Sequence, residues 1–314
     1  MCVFALALAA CSDSPSTEPT TTPSIATTTT EPTTTTTEPT TTTTEPEIVI
    51  PPGILAAMPF QNRLDVAQGI FQMKLYNGTD EDLPIVGVQF VWAGMTTPVS
   101  DRANVLIASD RLDYPVSLAP ATCVGDGTIA EMPDPGEGFV RVLLADGREL
   151  HAPVFDVLHF ARKLYLADCE RQFIGTQVGI EWFDLHEAML DGRPVTEGSL
   201  RLTRLAGVGT ITVELIRPTI IFTFKVLDGA DDVVAVLPAG SAGIDVPIRF
   251  LEGRCDAHAS SEVSQPFEFS ATLDLGDGVQ RTYALPIPKP DQVPMRGRVE
   301  AGCEYLGLTG PVGG

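Results

Sequence analysis

Basic residues are scarce in this chain: its 314 residues hold 20 Lys and Arg against 41 Asp and Glu, a formal net charge of −21. A nucleic-acid binder needs a basic stripe to displace counterions from phosphates, so nucleic acid is excluded as a partner. Electrostatic docking on anionic lipid is excluded for the same reason. Histidine is scarcer still, with 4 in the whole chain. There is no GxSxG elbow, HExxH helix, glycine-rich phosphate loop or paired CxxC, so no signature of hydrolysis, phosphoryl transfer or structural zinc is present. A protein that is not an enzyme, with no cofactor and no metal, is the expectation. No apolar run is long enough to span a membrane, which takes about 20 residues in a helix. What is plentiful is glycine (28) and proline (26), a composition unsuited to a helical bundle and suited to a turn-rich β protein.

The chain opens on a short apolar run, VFALALAA at residues 3–10, followed by Cys11. Its length is that of a signal-peptide core, which is removed and not folded. The tetrad Leu8-Ala9-Ala10-Cys11 resembles a bacterial lipobox, in which the peptide is cut before the cysteine and its sulfur receives a diacylglycerol. That resemblance implies lipidation at Cys11 and anchoring on the outer face of the cytoplasmic membrane, exposed in the cell envelope. Two lipid chains give stable anchoring where one is marginal. No Lys or Arg precedes the apolar run, so residues 1–10 are expected to be the end of a longer signal peptide.

Residues 12–52 collapse to Thr, Pro, Ser and Glu, with 18 Thr and the unit EPTTTTT repeating from Glu31 and Glu38. Nothing here has apolar periodicity, so no burial offsets the entropy of ordering. Proline at every seventh position disfavours helix and biases the chain towards extended polyproline II. Residues 11–52 are therefore read as a lipidated cysteine and a disordered stalk, on the order of 130 Å long if fully extended. The stalk carries Asp13, Glu18, Glu31, Glu38, Glu45 and Glu47 and no basic residue. The rest of the acidic excess belongs to the body.

The body contains an internal duplication. Asp113-Tyr114-Pro115-Val116, with Cys123 ten residues after the Asp, recurs as Asp245-Val246-Pro247-Ile248 with Cys255 at the same distance. Downstream, an apolar strand meets a turn at Asp146-Gly147 in the first copy and at Gly276-Asp277-Gly278 in the second. Both return strands end on Xaa-Pro-aliphatic, Ala152-Pro153-Val154 and Leu285-Pro286-Ile287, and each copy closes on a second cysteine, Cys169 and Cys303. Two domains of one fold follow, at 53–186 and 187–314.

The fold class comes from the period. Residues 267–275 alternate strictly, placing Phe267, Phe269, Ala271, Leu273 and Leu275 on one face of a half-buried strand. Val279, Arg281, Tyr283 and Leu285 line one face of the return strand. Asn77-Gly78 reads as a hairpin turn between strands at 71–76 and 85–92. Further strands are expected at 177–183, 200–205 and 211–224. About seven strands in about 120 residues predict an all-β protein of two tandem antiparallel β-sandwiches. The one convincing helix is at 157–166, where Val157, Leu158, Ala161, Leu164 and Tyr165 recur at helical spacing.

With Cys2 removed and Cys11 lipidated, four cysteines remain, and outside the reducing cytosol they predict two disulfides. The duplication favours one within each copy, Cys123–Cys169 and Cys255–Cys303. Closing a loop of about 50 residues contributes about 3–4 kcal/mol in the unfolded-chain entropy model. His151 is expected on an exposed strand face, His159 in the helix, His186 between the domains, and His258 beside a disulfide-bonded cysteine that can be neither ligand nor nucleophile. The acidic turns at 134–137 and 228–232 lack a spaced calcium loop and read as solvated turns. Asn77-Gly78-Thr79 is a formal glycosylation sequon, and Trp92 and Trp182 are expected in the cores.

The string Arg254-Cys255-Asp256-Ala257-His258, followed by Gln265-Pro266-Phe267 and a hairpin, resembles a motif in uncharacterised secreted or lipid-anchored proteins of actinobacteria. The resemblance covers most of 65–305, with Ala257 where that group has proline. It implies two Ig-like β domains and no particular activity. The expectation is a non-enzymatic, lipid-anchored envelope protein whose stalk displays two sandwiches to an envelope protein or a cell-wall glycan. A solute-binding lipoprotein of a transporter is the alternative, and an envelope hydrolase comes third.

Overall fold

The computed structural model describes residues 50–125, 128–227, 233–256 and 264–308. Cys11, the stalk as far as residue 49, the acidic turn at 228–232, Ala257 and His258 lie outside them. The first half runs β1 (Leu55–Phe60), α1 (Arg63–Gln68), β2 (Ile70–Asn77), β3 (Leu83–Trp92), β4 (Met95–Thr96), β5 (Asn104–Leu106), β6 (Arg111–Ser117), β7 (Phe139–Leu144), β8 (Glu149–Pro153) and α2 (Phe160–Gln177). The second runs β9 (Val178–Leu190), β10 (Arg193–Arg204), β11 (Ile211–Arg217), β12 (Phe222–Val226), β13 (Ala235–Leu237), β14 (Gly243–Glu252), β15 (Glu268–Asp274), β16 (Gln280–Pro286) and α3 (Lys289–Tyr305).

Each half is a sandwich of two antiparallel sheets, so the protein is all-β with two tandem sandwich domains. In the first, β1-β2-β6 faces β4-β3-β7-β8, with β5 also on β3; in the second, β12-β14-β10-β9 faces β13-β11-β15-β16. The repeated Asp-Xaa-Pro-aliphatic strings lie in β6 and β14, which pair with β2 and β10 respectively. The correspondence extends to irregularities. The β3–β7 ladder slips between Ile85 and Gly87, and the β11–β15 ladder slips between Val213 and Leu215. A helix follows the last strand of each copy and carries its second cysteine. Cys123 is bonded to Cys169 and Cys255 to Cys303, with Cα atoms 5.6 Å apart in both.

The cores sit between the sheets. In the first, Phe71, Met73, Phe90, Tyr114, Val140 and Val142 are almost wholly buried; in the second, Val213, Phe222, Ile248, Phe250, Phe269 and Leu273 are. The alternation read in 267–275 holds in β15, where Phe269, Ala271 and Leu273 face inward. At its ends Phe267 and Leu275 are partly buried against the same core.

Several local expectations are corrected. Asn77-Gly78 is not a two-residue hairpin, because β2 and β3 lie in different sheets. Asn77 is 2% exposed, and its amide donates to the carbonyls of Glu81, Leu106 and Ile107 at 2.9, 3.2 and 3.1 Å. Gly78 is glycine because the chain at 51–54 crosses over it: a Cβ there would meet the Ile54 carbonyl oxygen at 2.6 Å. The stretch 211–224 is two strands in opposite sheets, broken at Pro218, which lacks the N–H a ladder needs. There the Thr219 N–H bonds the Phe222 carbonyl at 3.0 Å, and the Phe222 N–H bonds Thr219 Oγ1 at 3.0 Å.

The helix expected at 157–166 starts at Phe160, where the Asp156 carboxylate accepts from the Ala161 and Arg162 N–H groups, both at 3.1 Å. It continues to Gln177 and passes directly into β9. A boundary at 186/187 therefore falls inside β9, since no linker with a shift of composition separates the domains. Ala161, Tyr165 and Cys169, four residues apart, bury in the first core, while Ile174 is buried in the second. Helix α3 has no counterpart in the sequence reading. Pro290 and Pro294 interrupt its apolar pattern, yet Met295 and Cys303 are buried beneath it.

Candidate binding cleft at the domain junction

Three of the four histidines fall within the described residues, each in or beside a different element. His151, in β8, is exposed, with its ring 4.2 Å from the Phe139 ring and Nε2 2.9 Å from Glu149 Oε1. His159 lies in the left-handed region at φ 54° immediately before α2. His186 is in β9, with Nδ1 2.7 Å from the Asp184 carbonyl oxygen. Among the described residues no group of three or more His, Cys, Asp or Glu is placed to hold a metal ion. In the acidic turn at 134–137, Asp134 Oδ1 accepts from the Gly136 N–H at 2.9 Å, so that carboxylate serves its own backbone.

Neither tryptophan forms a surface patch. The Trp92 indole donates to the Asp134 carbonyl at 3.0 Å, and its ring lies 6.1 Å from Phe90 and 5.5 Å from Tyr165. Trp182 donates to the Leu285 carbonyl at 3.3 Å, among Phe224, Phe250 and Phe269. Each sandwich thus has one buried indole whose N–H is satisfied by a backbone carbonyl, from the loop before β7 for Trp92 and from the opposite sheet for Trp182.

Groups from both domains meet in a cleft of about 360 Å³ where α2 crosses the β15–β16 hairpin. Leu166, Ala167, Glu170 and Phe173 line it from α2, Thr128 from the connection between β6 and β7, and Val279 and Arg281 from the hairpin. Glu170 Oε2 accepts from the Thr282 N–H at 3.3 Å, tying the helix to β16. The Arg281 guanidinium sits 5.2 Å from the Phe173 ring centroid and forks onto Asp277 at 2.9 and 2.7 Å. That guanidinium holds the Asp277 carboxyl well below the usual carboxylate range, with the Val279 N–H adding to the effect. The cleft therefore brings together a phenyl ring with a guanidinium over it, the carboxylate that holds that guanidinium, and a second carboxylate. Sequence reasoning put Arg281 on the correct strand but missed Glu170 and Phe173. Both lie past Leu166, where the helical pattern ends in the sequence reading; two more turns at the same spacing reach Glu170 and then Phe173.

A second depression, of about 350 Å³, opens between β11 and β12 in the second sandwich and is lined mainly by Leu215, Ile216, Phe224, Val226 and Val234.

No protein-family profile matches the chain, and no curated protein matches it. Among solved structures, a crystal structure of a protein of unknown function from Porphyromonas gingivalis aligns at 12% identity, over 75% of this chain and 100% of that one, with a TM-score of 0.20. A likeness of that size carries no argument about fold or function. No helix among the described residues is long and apolar enough to cross a membrane.

Proposed function

We propose that this is a non-enzymatic binding protein, held on the outer face of the cytoplasmic membrane by lipid on Cys11, whose stalk presents two Ig-like sandwiches to the cell envelope. The junction cleft is the observation that carries the reading. Ligand sites favour domain interfaces, where a few fixed polar groups orient a ligand against apolar walls. The guanidinium over Phe173 and the Glu170 carboxylate suit a polyhydroxylated ligand, whose hydroxyls bond the charged groups while its C–H face packs on the apolar wall of Leu166 and Val279. A cell-wall glycan has that chemistry. Helix α2 is buried in both cores, which opposes the hinge closure that a solute-binding lipoprotein uses.

Titration of the full chain with soluble envelope glycan fragments tests the cleft. Glu170→Gln and Phe173→Ala are expected to weaken binding at least tenfold with the fold retained by circular dichroism. Unchanged affinity in both variants removes the cleft from the proposal. The anchor is tested separately by lipid labelling in cells that export the chain. Cys11→Ala should abolish labelling and release the protein from the membrane, and retention of both sinks the anchor.

A further inference from the structure

The duplication lets each sandwich serve as a reference for the other, and the two differ at one edge. In the first, a single segment covers the whole free edge of β3. β4 pairs with Val91 and Trp92, Thr97 donates its N–H to the Phe90 carbonyl at 3.0 Å, and β5 pairs with 83–85. Between them Ser100 makes a two-bond bridge to Val88: N–H to carbonyl at 2.8 Å one way and 2.9 Å the other. Ser100 Oγ then reaches the Pro115 carbonyl in β6 at 2.8 Å, closing the sandwich on that side.

The equivalent strand in the second sandwich is β11, and the shared ladder slip fixes the register. Val88 opposite Val142 corresponds to Ile216 opposite Ala271. β5 on 83–85 corresponds to β13 on 211–213. Past Val213 the copies part. The chain turns at Pro218 and enters the opposite sheet as β12, paired with β14. Among the described residues nothing pairs with the outer edge of 215–217. By the register, the Ile216 N–H and carbonyl point away from β15, as those of Val88 point away from β7 towards Ser100. That edge, unpaired among the described residues, is one wall of the depression between β11 and β12, whose other walls are Phe224, Val226 and Val234, with Lys225 and Glu214 at its rim.

We propose that this groove takes an extended peptide strand of a partner protein. The strand adds antiparallel to 215–217, makes the two-bond bridge at Ile216 that Ser100 makes at Val88, and lays its inward side chains, as Met95 and Thr97 are buried in the first sandwich, against Phe224, Val226 and Val234. Segment 95–102 of the first sandwich is the pattern for the occupant, seated on the equivalent edge. Exposed edges paired with apolar pockets recognise peptides in this way: the main chain supplies affinity and the pockets supply selectivity. The site shares no residue with the junction cleft.

The probe is a synthetic peptide with the sequence of residues 95–102, titrated into the full chain and read by amide hydrogen exchange. Protection confined to 214–217 and 222–226 is expected. N-methylation of the peptide at its serine should weaken binding at least tenfold, as should Leu215→Asp, at a position 48% exposed and so tolerant of the change. No binding at millimolar peptide, equal binding of the N-methylated peptide, or protection elsewhere would overturn the proposal. So would protection of these amides by soluble glycan in place of peptide.

Discussion

Ile174→Ala measures whether α2 is shared by the two sandwiches. Ile174 has no exposed surface and packs in the second core, although the helix carrying it is bonded through Cys169 to the first. Removing a buried Ile side chain costs the lost transfer energy plus a cavity, about 3 kcal/mol. A urea slope of about 1.5–2 kcal/mol/M for a domain of this size turns that into a midpoint shift of about 1.5–2 M. The protein supplies its own reporters, since its two tryptophans lie one in each core. Trp182→Phe leaves Trp92 to report on the first sandwich, and Trp92→Phe leaves Trp182 to report on the second. In these backgrounds Ile174→Ala should move the Trp182 transition by the full amount. The Trp92 transition should move by less than a third of it, because Ala161, Tyr165 and Cys169 hold the first half of α2 independently. An unmoved Trp182 transition refutes the placement of Ile174. Equal movement of both reporters refutes the separation of the two cores.

Three further outcomes follow from particular residues. Replacing Cys255 and Cys303 together by Ala should cost about 4 kcal/mol in the chain-entropy account, read as a lowered urea midpoint of the Trp182 transition. Asn77→Ala strands the Leu106 and Ile107 carbonyls and should cost about 2–4 kcal/mol on the Trp92 transition; a loss under about 0.5 kcal/mol contradicts the buried network. Burial pushes the Asp168 carboxyl up, but the Ala121 N–H, the Arg171 guanidinium and the Gln172 amide outweigh it and hold its pKa below the ordinary 3.8. A carboxyl lowered in the folded state contributes stability that is complete above the unfolded value and lost as pH falls through the folded one. Thermal melts of the wild type between pH 5 and pH 2 should therefore fall more steeply than those of Asp168→Asn, and parallel curves would count against this pairing.

The amino-acid sequence by itself determined the β class, the duplication and the cysteine partners. Each rests on a short-range signal: period-two alternation in 267–275, a repeated Asp-Xaa-Pro-aliphatic string, and a cysteine at equal distance from each. Signals of that kind survive in one dimension because the interactions they reflect recur every two residues or once per copy. Only the tertiary structure decided where chain and sheet part company. Asn77-Gly78 has the composition of a hairpin, but its amide is spent on carbonyls some 30 residues away, and its glycine is set by the chain at 51–54 crossing over it. The unbroken apolar pattern of 211–224 hides a change of sheet at Pro218, because both resulting strands face the same core from opposite sides. Helix α2 looks finished at Leu166, since its apolar stripe rotates from the first core to the second. The cleft formed there by Glu170, Phe173 and Arg281 depends on that rotation and on contacts more than 100 residues apart, which no local period encodes.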